Sequence, residues 1–399
     1  MPGNVIFIRF AVLNTISILY VWMSVVAFMA LASKGLSATY GAGAVLLLRS
    51  LSSVGGSFFS GAFIDRYNKK HVLLFSCLVL IILSGLAYFN GAGKPMIILL
   101  PCMAAAEAFL FPAIHSIIPG LIKDQNGLMK ANSALVTTDM AAMVAGPVAA
   151  SMIMTKFPAE AVLAVVVALL GIATAILLLG LWKHLPQSPA AANSQKNLWS
   201  EAVSGIRRLG HDPFLKKWLL TGMAAHLGTG ILGAVELPFS ISRLGMTGEQ
   251  YGWILAISGL GSVIATLFIS RSKGTPASAF MIGVVVLAAA YIGYSLQTGL
   301  IFAAPFILLA GVGECSYRCS LRTLLQQNSK PEELGRISAY NYLADKTALL
   351  AGVLSGSAIM SVSSPETAMR VYGCLLLAGT LVAAAGRLRG RELGYERQN

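Results

Sequence analysis

Apolar residues run along this chain in long blocks, not at the alternating or 3.6-residue spacing of a half-buried element. Twelve windows can be drawn, at about 5–32, 41–63, 72–90, 96–121, 131–155, 160–182, 218–241, 249–270, 277–297, 301–327, 338–362 and 367–386. A helix rising about 1.5 Å per residue needs roughly 20 apolar residues to cross a hydrocarbon layer about 30 Å thick. The pattern predicts an all-α membrane protein of twelve transmembrane helices.

The windows fall into two sets of six around a polar stretch, 183–217. It opens with Pro186, Ser188, Pro189 and a short Ala/Asn/Ser run, which is linker chemistry. Trp199, Val203, Ile206 and Leu209 then recur at helical spacing beside Arg207 and Arg208. Two readings fit: an amphipathic helix on the cytoplasmic membrane face, or a solvated helix. The expected organisation is an N-terminal six-helix bundle (1–182), a linker (183–217), a C-terminal bundle (218–386) and a tail (387–399).

Composition supports the bilayer as solvent. The chain is 56% hydrophobic and 11% charged, where a soluble chain carries about 25% charged residues. Its net charge of +13 raises the question of nucleic acid. With the N-terminus inside, most Lys and Arg fall in cytoplasmic loops, such as Arg66, Lys69, Lys70, Lys123, Lys130, Lys183, Arg271, Lys273, Lys330 and Arg336, and in the tail. A few, Lys34, Lys94, Lys156, Arg243 and Arg370, lie outside. That is a positive-inside bias with both termini cytoplasmic, not a nucleic-acid surface. The five cysteines lie inside the windows with no CxxC pair, so they read as free thiols. The N-terminus has no basic region and no cleavage site, so the first window reads as a retained helix.

The halves look related. Glu107 in "AAAEAFLFPAIHSIIP" has Glu314 in "GVGECSYRCSLRTLLQ" as its counterpart, and Asp139 in "LVTTDMAAMVAGP" has Asp345 in "NYLADKTALLAGV". Gly146 and Gly352 keep the same offset. An even number of helices per half makes the repeat parallel, with a substrate site between the repeats.

"GAFIDRYNKK" places charge between two apolar blocks. In the turn after the second window it resembles motif A of the major facilitator superfamily: a glycine, Asp-Arg, then glycine and two basic residues. Gly61, Asp65, Arg66, Lys69 and Lys70 match, while Asn68 replaces a glycine. Asn visits the left-handed region readily, so a tight turn survives. The resemblance implies a cytoplasmic gate in which Asp65 sits on the positive N-terminal end of the eleventh helix. The plainer alternative is a positive-inside loop. Gly146-Pro147 in "AGPVAASMI" partly resembles the family's exporter motif C, with Ala150 and Ser151 in place of later glycines; ordinary small-residue packing fits as well. "SEAVSGIRRLGHDPFLKKWLL" and "FPAIHSIIPGLIKDQNGLMKANS" are similar to bacterial macrolide- and siderophore-exporter branches. The resemblance implies a bacterial inner-membrane protein whose helices 1, 4, 7 and 10 line a central cavity.

Ionisable residues within a membrane are functional by default. Glu107 sits near mid-depth, where burial favours the neutral form, so it is the first choice for proton coupling; a protonated packing residue is the alternative. Glu314 has Arg318 at i+4, as a coupling site or a structural ion pair. Arg322 follows on the same side and, with Arg49 and Glu236, is assigned to the substrate cavity. Arg49 either faces that cavity or Glu236, or snorkels outward. His115 reads as a proton relay or a packing residue. Asp139 and Asp345 read as packing or gating groups, and Lys346 is not expected to face Asp345. Arg9 is expected to snorkel.

No Walker A, HExxH or GxSxG sequence occurs. "GLGS" and "GVGE" are glycine pairs inside apolar helices. The expectation is a secondary transporter, not an enzyme, with no cofactor or metal. Its partners are protons, a small-molecule substrate and the lipid bilayer, and it works as a monomer. Proton-coupled export of a small amphipathic or hydrophobic compound is the main reading. Metabolite uptake, lipid translocation and a non-transporting membrane sensor are the alternatives.

Overall fold

A computed structural model describes residues 2–35, 38–91, 96–122, 124–185, 212–246, 251–271, 274–378 and 380. Most of the 183–217 stretch, including Trp199, Val203, Ile206 and Leu209, lies outside these residues, as do Lys123, Lys273 and the tail from 387. No strand occurs among the described residues. The helices are α1 (Pro2–Gly35), α2 (Ala38–Arg66), α3 (Lys69–Asn90), α4 (Met96–Leu121), α5 (Gln125–Met154) and α6 (Ala159–Ala175), the last continuing as a π-helix over Ile176–Leu181. Then follow α7 (Pro213–Ser242), α8 (Tyr251–Arg271), α9 (Pro276–Ser295), α10 (Leu300–Gln327), a 3-10 turn (Pro331–Glu333), α11 (Leu334–Val362) and α12 (residues 365–378). Among the described residues, nine helices are long and apolar enough to cross a membrane. The protein is an all-α, multi-pass membrane protein.

Several helices run past their apolar windows because capped polar residues extend them. Asp124 caps α5, its side chain accepting from the Gly127 amide at 2.7 Å. Thr275 caps α9, and Pro276 starts that helix without losing an intrahelical bond. Asn68 departs from expectation. It has φ −65° and ψ 120° and caps α3, its side chain accepting from the Lys70 amide at 3.3 Å. The α2–α3 turn therefore needs no left-handed residue, and Asn serves here as a cap.

The chain divides into two compact units. One comprises Met1–Lys217 with Arg322–Thr347; the other comprises Trp218–Leu321 with Ala348–Asn399. In the first, α1 packs on α5, α6 and α2, while α4 packs on α2 and α3. Phe10, Tyr20, Phe28, Leu73, Leu110 and Leu163 belong to its fully buried core. In the second, Phe280 stacks edge-on against Trp218 and Tyr317, and Phe239 against Tyr294.

Gly146 shows why a small residue stands in α5. A Cβ there would lie 2.7 Å from Trp22 Cβ and 3.4 Å from Leu19 O on α1. Neither group is the free end of a flexible chain. Gly146→Val is expected to destabilise the protein by about 1–3 kcal/mol through overpacking, read as earlier thermal unfolding in detergent. An unchanged transition would show that α1 and α5 do not meet this closely.

Candidate functional site

Three helices of the first unit bring ionisable groups together near mid-span. Glu107 on α4 is 1% exposed. Arg49 on α2 forms an ion pair with it, Nη2 donating to Oε2. Tyr20 on α1, fully buried, donates its hydroxyl to Glu107 Oε1 at 2.9 Å. Tyr342 on α11 lies beside the pair and stacks on Phe111 with ring centroids 6.0 Å apart. Arg49 is thus buried on Glu107 and does not snorkel outward; a buried carboxylate is a better partner than distant water. Sequence reasoning missed Tyr20 and Tyr342. The sequence around neither residue distinguishes it from a packing aromatic.

A second polar cluster joins α1, α4, α5 and α10. Asn14 Nδ2 donates to Asp139 Oδ1 at 2.5 Å, and Arg322 Nη2 is 3.9 Å from Asp139 Oδ2. Asn132 Nδ2 donates to Thr323 Oγ1 at 2.9 Å and Gln326 Oε1 at 2.7 Å, while Gln326 Nε2 donates to the His115 carbonyl at 2.8 Å. A small cavity is lined by His115, Arg322, Gln326, Ser338 and Asn341. His115 and Arg322 therefore belong to this cluster and not to the Glu107 group. Lys346 Nζ lies 3.9 Å from Asp345 Oδ2 and 5.0 Å from the Tyr342 ring centroid. The expectation that the two neighbours do not meet fails because the long lysine stem curls back.

The α2–α3 turn forms a third cluster. Asp65 Oδ2 accepts from the Arg336 amide and from Arg336 Nε, each at 3.1 Å, at the N-terminal end of α11. Lys69 Nζ donates to the Ser116 and Pro331 carbonyls at 3.4 and 3.3 Å. Lys70 Nζ stands 4.9 Å over the Trp182 ring, and Arg66 is half-buried beside them. Gly61 permits the approach: a Cβ there would lie 3.0 Å from both Ala339 Cβ and Arg336 Cα. Asp65 lies beyond the apolar window of α2. Burial pushes its carboxyl up to about 7, against the opposing pull of Arg336 and Lys69.

In the second unit, Arg318 Nε donates to Glu314 Oε1 at 3.0 Å within α10. Tyr317 meets the His226 ring edge-on at 5.4 Å, and the Tyr372 hydroxyl donates to the Ala225 carbonyl at 2.7 Å. Glu236 on α7 is buried, and Arg243 Nε lies 3.8 Å from Glu366 Oε1. Among the described residues, no group of His, Cys, Asp and Glu could hold a metal ion. Arg9 is exposed, and its Nη1 donates to the Gly180 carbonyl at 3.1 Å in the π-helical segment.

Solved structures share this fold. The human organic anion transporter MFSD10 (TETRAN) superposes with a TM-score of 0.80 at 12% identity, covering 96% of this chain and 99% of that chain. The E. coli fucose:proton symporter FucP does so at 0.75 and 14% identity, covering 96% and 99%. A bacterial homologue of the iron transporter ferroportin gives 0.71 at 15%, covering 96% and 97%. No curated protein sequence matches the chain. The family model of the Major Facilitator Superfamily matches residues 10–344, and the chain belongs to that superfamily of secondary transporters, which work by alternating access and not as enzymes.

Proposed function

We propose that this chain carries a small metabolite across the membrane together with a proton, in the uptake direction, with Glu107 as the proton carrier. The pairing of Glu107 with Arg49 across α4 and α2 carries this reading. A site that exchanges protons for an exported cation needs an acid whose charge the cation can use. Here Arg49 already supplies the counter-charge, so proton and solute load side by side. Similar structures point the same way: FucP is a fucose:proton symporter and XylE a proton:xylose symporter. Twelve spans in two six-helix bundles, both termini in the cytoplasm of a bacterial inner membrane, and a monomeric working unit complete the proposal. The contact of Asp65 with α11 acts as its cytoplasmic latch.

Export of a small amphipathic or hydrophobic compound is the second reading. It is favoured by the Gly146-Pro147 step, where Gly146 packs on Trp22 of α1. Proteoliposomes with an imposed pH gradient separate the two by direction, using fucose, xylose and benzoate as probes. A solute-evoked proton flux running with the solute supports uptake; a flux running against it supports export. Glu107→Gln is expected to lower that flux by about tenfold or more, because the variant side chain cannot cycle a proton. Equal flux in variant and wild type would remove Glu107 from the mechanism.

A further inference from the structure

Arg49 has more donor capacity than Glu107 uses. A guanidinium presents five N–H donors in a fixed fork. Arg49 turns Nη2 toward Glu107, while its buried Nη1 has no hydrogen-bond partner among the described residues. The residue is only 9% exposed. A buried charged donor left unfilled is costly and calls for an explanation.

Among the described residues, the titratable groups facing the pair are Tyr20 from α1 and Tyr342 from α11, with Ser53 of α2 beside Tyr342. These are neutral hydroxyls. Asp345, one turn along α11 from Tyr342, is engaged by Lys346. With Glu107 ionised, the charges of acid and arginine cancel. With Glu107 protonated, Arg49 is a lone buried cation among neutral hydroxyls, which a protein interior tolerates poorly. The protonated form therefore calls for one negative charge from outside the chain.

We infer that the solute bound at this site is a monovalent organic carboxylate, which engages the Arg49 fork as Glu107 takes up its proton. This rests on the proton-coupled reading above and names its substrate class. A carboxylate matches a guanidinium in a planar, two-bonded arrangement. One proton adds to a Glu107 oxygen and one anion docks on Arg49. Both leave together, so each cycle moves no net charge.

The test uses the purified full-length protein in detergent, with acetate, lactate and benzoate as probes, each paired with its amide. At acidic pH at least one carboxylate is expected to raise the unfolding temperature and to bind about ten- to hundredfold tighter than its amide. That preference should weaken at alkaline pH in wild type. Arg49→Gln should abolish it; Glu107→Gln should keep it and remove its pH dependence. Should Arg49→Gln fail to fold, the carboxylate-over-amide ratio and its pH dependence in wild type decide alone. In proteoliposomes, accumulation of the preferred carboxylate should follow the pH gradient and ignore an imposed membrane potential. Equal binding of carboxylates and amides, no binding by any carboxylate, or a potential-driven uptake overturns the inference. Proton flux that depends on Glu107 and is evoked only by fucose or xylose would overturn it while leaving the transport reading intact.

Discussion

Arg49→Leu is expected to cost about 3–5 kcal/mol of stability, because it strands the Glu107 carboxylate in the interior. Total stability of a folded protein is only about 5–15 kcal/mol, so the loss would be a large share. Among the described residues Glu107 keeps one other strong partner, the Tyr20 hydroxyl at 2.9 Å, and a single neutral donor does not replace a guanidinium. The double variant Arg49→Leu/Glu107→Gln removes both charges and should recover most of the loss. A double-mutant cycle on thermal unfolding gives the coupling directly. Additive losses would show that the two residues do not act as a pair.

The second large effect concerns Asp65. Asp65→Ala removes the acceptor of both Arg336 bonds and leaves the first turn of α11 without its cap. Because Arg336 is partly exposed and can rehydrate, the expected cost is about 1–3 kcal/mol. It is read as faster hydrogen exchange in residues 334–340, by about tenfold or more. The pH dependence has a definite sign. In the latched form the carboxyl titrates at about 7; once exposed to water it titrates near its ordinary value of about 4. Between those values the latched form binds more protons, so acidification favours it, and rising pH weakens it until the effect is complete above about 7. Exchange at 334–340, corrected for its intrinsic pH dependence, should therefore rise as pH rises through this window. Asp65→Asn should flatten that slope. A wild-type slope of opposite sign would mean that the ion pair with Arg336 outweighs the burial of Asp65.

Much of this was legible in the residues because a membrane simplifies the problem. Backbone groups must pair within the segment, so helices follow from apolar length alone. The acids were equally plain, since a Glu amid apolar residues stands out in one dimension, and Arg318 lies one turn from Glu314 on the same helix. Partners on other helices were not legible. Nothing in the local sequence of Arg49 says that α2 packs on α4, or that its guanidinium points at Glu107 and not at lipid headgroups. Tyr20 and Tyr342 were hidden for the same reason, as was Arg322, whose sequence neighbours suggested Arg318 and Glu314 while its ion-pair contact is Asp139. The role of Asn68 was misread because a cap and a left-handed turn residue share a composition and differ only in backbone angle.

The π-helical segment at the end of α6 carries a consequence for insertions and deletions. Such a segment holds one residue more than the α-helical turn it replaces, and each residue in a helix advances the face by about 100°. Trp182 follows that segment and meets the His71 ring edge-on at 5.1 Å, with Lys70 above it. Deleting one residue within 176–181 would let the helix revert to the tighter winding and swing the indole away from α3, whereas the buried stripe of Val162, Val166 and Leu170 upstream would keep its phase. The extra residue thus acts as a rotational shim, which sets the angle at which the chain leaves α6 without disturbing what the helix packs against.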